Sequence, residues 1–201
     1  MTTPGTVHGS SLGRWFEQLC RIDYKFLKIF CTANQTALKP RVLPTHGGVY
    51  AFWWTGPIDL LASGSRRQLL DVPGSSGRMV RLQWDDEWLG ISTRLPVPLY
   101  VGKAGIPISQ RVGQHLMLKS ERLLDQRTGH VRQRGPTTSC QLRAGVEHMF
   151  PKEDNPRRLI LDNIGLSVVN LDGDSNAANR FYLEDLAIGL MRPPLNVDIE
   201  R

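Results

Sequence analysis

The chain has 201 residues and a mass of 22.6 kDa, which allows one domain with additions or two small ones. Its hydrophobic content of 40% is enough for a packed core, and no apolar run approaches the roughly 18 residues of a membrane-spanning helix. The N-terminus has neither a charged start nor an apolar stretch, so no signal peptide is expected and the cytoplasm is the expected compartment.

The net charge of +6 is unevenly distributed along the chain. Between Arg94 and Arg143 there are nine Lys or Arg residues and two acids, Glu121 and Asp125, so this segment carries +7 and the rest −1. A basic stretch on a protein whose other charges nearly cancel is what binding to a polyanion requires, because contacts with phosphates and the release of counterions supply the affinity. A solvated basic face without a partner explains the same charge, so charge alone leaves nucleic-acid binding open.

Residues 1–46 are predicted to form an N-terminal helical extension. Apolar residues recur at helical spacing between Trp15 and Phe30, and the proline-rich connector "KPRVLPTHGG" follows. If this helix is continuous, Cys20 and Cys31 lie about 16 Å apart along its axis. That distance is too long for a disulfide, so reduced thiols are expected.

The next segment is predicted to contain two strands that each carry a tyrosine. "GVYAFWW" predicts a strand at about 48–54, and "VPLYVG" predicts a second one. Residues 57–98 between them are interpreted as an insertion, with a short helix in "DLLASGSRRQLL" and a strand through Val80, Leu82 and Trp84. A packed hairpin or lid fits this pattern, and an arm that wraps DNA is the alternative.

Helices and strands follow in the second half of the chain. A helix is predicted from about Ile108, then a basic loop, a short helix through Leu142, Val146 and Met149, and one or two strands in "LILDNIGLSVVNL". A last helix, "NRFYLEDLAIGLM", ends before two prolines.

Two polar features stand out on these predicted helices. Arg111 and His115 are four residues apart and therefore share one helix face. Glu184 lies on a helix that is apolar nearly all round, where a carboxylate is costly unless it is paired or binds a metal. A salt bridge to Arg180 or Arg192 is the alternative to a metal role.

Taken together, these residues resemble the GIY-YIG nuclease superfamily, and within it the type II restriction endonucleases most. The resemblance rests on "GGVY", on "YVGKA" followed by Arg111 and His115, on Glu184, and on "PPLN" with Asn196, in the family's order over residues 48–196. It implies an α+β fold in which a small central antiparallel three-stranded sheet is flanked by helices. The 49 residues between the two tyrosines exceed the family's usual connection, and with five residues after Asn196 no separate C-terminal DNA-binding domain is expected.

The resemblance also implies a catalytic set, which comprises Tyr50, Tyr100, Lys103, Arg111, His115, Glu184 and Asn196. Tyr50 would help to activate water, and Lys103 beside it would lower the tyrosine's pKa. Arg111 would contact the scissile phosphate, while His115 and Tyr100 would orient water or phosphate. Glu184 would hold one Mg²⁺ or Mn²⁺ per active site, with waters completing the shell. Asn196 would fix the geometry by hydrogen bonds.

The predicted function is therefore that of a metal-dependent endonuclease for double-stranded DNA, of the site-specific restriction type. A palindromic recognition sequence would favour a two-fold homodimer, because one active site cuts one strand, and a monomer that pairs transiently is the alternative. A low-specificity or structure-selective nuclease of repair or of a mobile element, and a catalytically inactive DNA-binding module, are the alternatives; the joint presence of the catalytic set argues against the last.

Base reading is predicted for the basic region 127–150, through Arg127, Arg132, Arg134, Gln141 and Arg143. Phosphate anchoring without base reading is the alternative for each of them.

Overall fold

The computed structural model of the chain describes residues 4–21, 27–33, 38–39, 42–65, 69–73, 79–83, 96–116, 141–150 and 152–196. The fold is α+β, with a three-stranded antiparallel sheet flanked by helices, as predicted, and a separate two-stranded hairpin. None of the described helices combines the length and the hydrophobicity needed to cross a bilayer.

The described elements follow in chain order. The first half contains helix α1 (Pro4–Cys20), a 3₁₀ turn (Leu27–Phe30), strand β1 (Gly48–Trp54), helix α2 (Ile58–Ser65), strands β2 (Leu69–Pro73) and β3 (Met79–Gln83), and strand β4 (Val97–Ala104). The second half contains helices α3 (Ile108–His115), α4 (Gln141–Met149) and α5 (Pro156–Asn163), strand β5 (Ile164–Asn170), a 3₁₀ turn (Asp174–Asn176) and helix α6 (Ala177–Met191).

Strand β1 is the central strand of the sheet and is buried along its whole length. It pairs antiparallel with β4 on one side and with β5 on the other, so that Tyr50 lies opposite Gly102 and opposite Val168. Because both faces are covered, the strand reads as a continuous apolar run rather than an alternating one.

The two faces of the sheet bury two separate cores. Tyr50, Phe52 and Trp54 project to one face, where apolar residues of α3, α4 and α5 pack against them. Val49 and Trp53 project to the other face, which is covered by apolar residues of α1 and α6. The indole Nε1 of Trp53 donates to Ser167 Oγ at 2.8 Å, so this buried polar pair is satisfied.

Between β1 and β4 the structure describes helix α2 and the antiparallel pair of strands β2 and β3. The predicted helix ends at Ser65, and Leu69 and Leu70, which were assigned to it, belong to β2. The predicted strand through Val80, Leu82 and Trp84 is confirmed as β3 for Val80 and Leu82, and Trp84 lies outside the described residues. The interpretation of 57–98 as an insertion rests on the family resemblance and stays a prediction.

Two other predicted elements differ from the structure. The N-terminal helix ends at Cys20, and Leu27–Phe30 forms a 3₁₀ turn whose Leu27 and Phe30 are buried in the core. Cys20 and Cys31 therefore do not share one helix, and both are free thiols. The segment "LILDN" is not a strand but belongs to α5. This helix begins with Pro156 and is capped by Asn155, whose side chain accepts from the backbone N–H of Arg158 at 3.0 Å.

Candidate active site

Tyr50 and Tyr100 lie side by side on one face of the sheet. Their ring centroids are 6.3 Å apart, and both side chains are buried. Tyr100 lies on β4 opposite Phe52, two residues from the strand position that Tyr50 faces. The two hydroxyl groups therefore belong to one small polar cluster inside the apolar face.

Gly102 makes this arrangement possible. A Cβ atom at Gly102 would lie 2.6 Å from Oη of Tyr50 and 2.9 Å from Cε1 of Tyr100. The tyrosine ring thus extends across β4 at the position where the strand has no side chain, and its hydroxyl comes to lie beside the Gly102 backbone. The glycine of "YVGKA" is required by this close approach.

Substitution of Gly102 by alanine is expected to destabilise the protein by about 1–3 kcal/mol, because two buried rings must move to admit the methyl group. Urea unfolding measures this change. Gly189→Ala on α6, where a Cβ would meet nothing within 4 Å, is the control and should be neutral or stabilising, since alanine favours a helix. Equal stability of the Gly102→Ala and wild-type proteins would contradict the close approach.

His115 is completely buried and contacts the Tyr50 hydroxyl. Its Nε2 lies 2.9 Å from Oη of Tyr50. Burial lowers the pKa of His115 to about 3, and the nearby charge of Arg111 contributes to the decrease, so the imidazole is neutral at physiological pH. Its Nδ1 has no hydrogen-bond partner within the described part of the chain.

The direction of the hydrogen bond between Tyr50 and His115 depends on the tautomer of the imidazole. With the proton on Nδ1, Nε2 accepts from the Tyr50 hydroxyl and Nδ1–H is a buried donor without a partner among the described residues; with the proton on Nε2, the imidazole donates to the Tyr50 oxygen and the hydroxyl proton needs another acceptor. The tautomer with the proton on Nε2 therefore suits a deprotonated Tyr50.

The pKa of Tyr50 is raised, although neighbouring side chains hydrogen-bond to its hydroxyl group. Burial raises the pKa of Tyr50; the Arg111 guanidinium opposes this through its charge and a hydrogen bond, and the Glu184 charge adds to the rise. Burial likewise raises the pKa of Tyr100. The prediction that Lys103 lowers the pKa of Tyr50 is therefore wrong. The cation that acts on this hydroxyl is Arg111.

Lys103 lies on the opposite face of the sheet from the two tyrosines. It pairs with Val49 in the β1–β4 ladder, and neighbouring strand residues alternate between faces, so its side chain projects toward α6. There its ammonium group forms an ion pair with Glu184 Oε2, while its backbone N–H donates to Glu184 Oε1 at 3.1 Å. The salt-bridge partners predicted for Glu184 were Arg180 or Arg192. Arg180 instead donates to the carbonyl groups of Leu171 and Gly173.

The tyrosine cluster and the Lys103–Glu184 pair lie on opposite faces of β4 and approach each other at its outer edge. The Tyr50 hydroxyl lies beside Gly102, and Glu184 bonds to the backbone of the next residue. The Glu184 charge raises the pKa of both tyrosines less than burial does, which is consistent with this proximity. Arg111, on α3, is only partly buried and also donates to Gln114 Oε1 at 2.9 Å.

Asn196 holds the chain that follows α6 against the same edge. Its Oδ1 accepts from Val101 N–H at 2.8 Å and its Nδ2 donates to the Val101 carbonyl at 2.7 Å. The backbone N–H of Leu195 also donates to the carbonyl of Leu99 at 3.0 Å. The side-chain amide takes the place of a neighbouring strand.

Substitution of Asn196 by alanine is expected to lower the free energy of unfolding by about 1–3 kcal/mol, because two groups of Val101 lose their partner. Thermal and urea unfolding measure this loss. Asn179→Ala is the control, since Asn179 donates to the Asn176 side chain, away from the sheet. A loss no larger than that of the control would contradict an anchoring role.

The residues predicted to read bases are only partly accounted for. Arg127, Arg132 and Arg134 lie outside the described residues. Gln141 begins α4, and Arg143 forms an ion pair with Glu147 on the same helix, with its side chain 12% exposed. In this arrangement Arg143 is engaged within its own helix, and base reading by these residues stays a prediction.

The donor set at Glu184 fits one kind of metal site. No group of three or more His, Cys, Asp or Glu side chains suited to a metal ion occurs in the part of the chain that the structure describes. Glu184 offers a single carboxylate, and Mg²⁺ binds through one or two carboxylates when water and substrate phosphate complete its shell. A structural zinc site needs four protein ligands and does not fit.

One residue at this site was missed from the sequence. The ring of Phe181 lies on α6 with the Lys103 ammonium 5.1 Å from its centroid. In the sequence, Phe181 counted as part of the apolar side of the last helix. Its spacing of three residues before Glu184 placed it near the carboxylate, but no sequence signal indicated that it would be exposed.

Comparison of the chain with models of known protein families, with curated proteins and with solved structures finds no match.

Proposed function

We propose that the protein is a metal-dependent endonuclease that hydrolyses phosphodiester bonds in double-stranded DNA, of the site-specific restriction type. The observation that carries the proposal is the meeting of the Tyr50 hydroxyl and the Glu184 carboxylate at Gly102–Lys103. A base, a carboxylate and two cations within one small region are the groups that phosphodiester hydrolysis requires. The net charge of +6 is consistent with a polyanionic substrate.

The scissile phosphate would first meet the accessible cations of the site. Lys103 has a side chain that is 25% exposed, and Arg111 is partly exposed, whereas Tyr50 and His115 are buried behind them. Two cations approaching a phosphate from different elements would orient it and stabilise the charge that develops in the transition state. Lys103 would exchange its Glu184 partner for a phosphate oxygen.

Glu184 and the substrate phosphate would together hold one Mg²⁺ or Mn²⁺ ion. Bound there, the cation would supply positive charge to the phosphate and lower the pKa of a coordinated water. Neutralising the Glu184 charge also removes one of the influences that raise the pKa of Tyr50.

Tyr50 would first lose its own proton to solvent and then, as the phenolate, accept the proton of the attacking water. Hydrogen bonds from Arg111, from Tyr100 and from His115 in its Nε2–H tautomer would stabilise this phenolate. The water oxygen forms a bond to phosphorus, the bond between phosphorus and the leaving sugar oxygen breaks, and that oxygen takes a proton from solvent. Asn196 would hold β4, and with it Gly102 and Lys103, in position.

Digestion of a fully sequenced plasmid with purified protein tests this proposal, in Mg²⁺ and in parallel in EDTA. Discrete fragments that form only with the metal are the expected result, and their ends map the recognition site. A smear or nicked circles would favour the low-specificity nuclease instead. No cleavage of any DNA, with binding intact, would contradict the catalytic proposal and leave the DNA-binding module.

A further inference from the structure

Gln114 lies on α3 beside the arginine of the candidate active site. Its Oε1 accepts a hydrogen bond from Nη1 of Arg111 at 2.9 Å, and both residues are partly buried. The two residues are three apart, so their side chains are neighbours on one face of the helix. On a fully exposed helix such a pair would only add a little helix stability, but here the arginine also reaches the tyrosine cluster.

The guanidinium group of Arg111 acts on three buried side chains of the site. It hydrogen-bonds to the Tyr50 hydroxyl, and its charge opposes the rise in the pKa of Tyr50 and of Tyr100. The same charge contributes to the low pKa of His115. These effects require the guanidinium to stay close to the tyrosines. Because an arginine side chain has many rotamers, it stays in one place only where a contact holds it.

Helix α3 is itself fixed against the chain that leads into β1. The backbone N–H of Ile108 donates to the carbonyl of His46 at 3.0 Å, and the backbone N–H of Ser109 donates to the carbonyl of Pro44 at 3.2 Å. Ile108 is also completely buried in the core. A contact between two side chains of this helix therefore sets the direction of the Arg111 guanidinium relative to the sheet.

We propose that Gln114 is a positioning residue, which orients the Arg111 guanidinium toward the Tyr50 hydroxyl and the scissile phosphate. The amide suits this role because it is neutral: its oxygen fixes the planar guanidinium without cancelling the positive charge. A glutamate would hold the arginine equally well and would neutralise it. This inference rests on the proposed function, in which Arg111 stabilises the charge that develops in the transition state, and Gln114 acts only through Arg111.

Nitrogen-15 NMR of the arginine side chains tests the orientation without DNA. In the wild-type protein the Arg111 guanidinium should rotate slowly and give separate Nη resonances, which are assigned by their absence in Arg111→Lys. Gln114→Met keeps the length of the side chain but removes the acceptor, so these resonances should merge. Gln114→Glu keeps an acceptor, so they should stay separate. Gln110→Met is the matched control, because Gln110 is exposed on the same helix, and should leave the Arg111 resonances unchanged.

Single-turnover cleavage in Mg²⁺ then separates orientation from charge. Gln114→Met should cleave about 10- to 100-fold more slowly than wild type, the cost of a small misplacement. Its affinity for duplex DNA in EDTA should change less than about threefold, because no charge is lost. Gln114→Glu should also cleave more slowly and should bind duplex DNA about fivefold more weakly, the size of an exposed ion pair. Gln110→Met and Gln110→Glu should cleave like wild type.

Unchanged cleavage by Gln114→Met would overturn the positioning role and leave the nuclease proposal standing. Slow cleavage with unchanged Arg111 resonances would also overturn it and would assign Gln114 to a direct contact with DNA. Cleavage by Gln114→Glu at the wild-type rate would contradict the requirement for a neutral amide. A wild-type protein that cleaves no DNA would overturn the nuclease proposal, and this inference with it.

Discussion

Replacement of Glu184 by glutamine is expected to abolish DNA cleavage in Mg²⁺, with a loss of roughly a thousandfold or more. The amide can still accept the hydrogen bond from the Lys103 backbone, so β4 keeps its contact with α6. The negative charge that would bind the metal is gone. Single-turnover cleavage of a mapped fragment measures the loss.

DNA binding by Glu184→Gln should be undiminished or tighter, because Lys103 loses its ion pair and is free to contact phosphate. The matched control is Asp185→Asn, which removes an exposed carboxylate from the next position of the same helix. The control should cleave like wild type. Cleavage retained in Glu184→Gln would remove this carboxylate from the metal role, whereas equal losses in both variants would indicate a general effect of charge on α6.

The free energy of unfolding is expected to fall steeply as the pH falls below about 6.5, because His115 is buried in its neutral form. Burial holds the pKa of His115 at about 3 in the folded protein, so between pH 6.5 and 3 the unfolded chain binds the proton that the folded protein excludes. The stability that depends on neutral His115 is fully present above the unfolded pKa. It is lost as the pH falls toward the folded pKa.

The expected contribution is about 2 kcal/mol between pH 7 and pH 5, rising to roughly 4–5 kcal/mol near pH 3. Urea unfolding at a series of pH values measures it. His115→Gln should reduce this pH dependence, whatever its stability at pH 7, while Asn179→Ala, which removes no titratable group, should leave it unchanged. The same slope in His115→Gln and wild type would contradict a buried neutral imidazole.

The sheet and the order of the site residues could be predicted because their signals are local. "GVYAFWW" gave the bounds of β1, and the helix from Ile108 begins where predicted. Helix α5 was predicted as a strand because its apolar run is short. The residues that mark the start of this helix are Asn155 at the N-cap and Pro156 at the first helical position. A short apolar run alone does not distinguish a strand from a buried helix.

The site's electrostatics could be predicted less well, because they depend on burial and on which face each side chain takes. Lys103 is three residues from Tyr100 in a strand, and the period of two already places it on the opposite face. The sequence alone thus separates Lys103 from the face that carries the tyrosines. The burial that raises the pKa of Tyr50 could not be predicted from the sequence, because it depends on helices that come from distant parts of the chain and pack over the tyrosine.

The outer edge of β4 carries a further consequence for the behaviour of the protein in solution. An edge strand with free N–H and C=O groups is a template for pairing with another chain. Here the groups at Leu99, Val101 and Lys103 are taken by Leu195, Asn196 and Glu184. The residues proposed for catalysis thus also block sheet-to-sheet self-assembly. Variants that remove Asn196 should be watched for aggregation at concentrations where the wild-type protein stays dispersed.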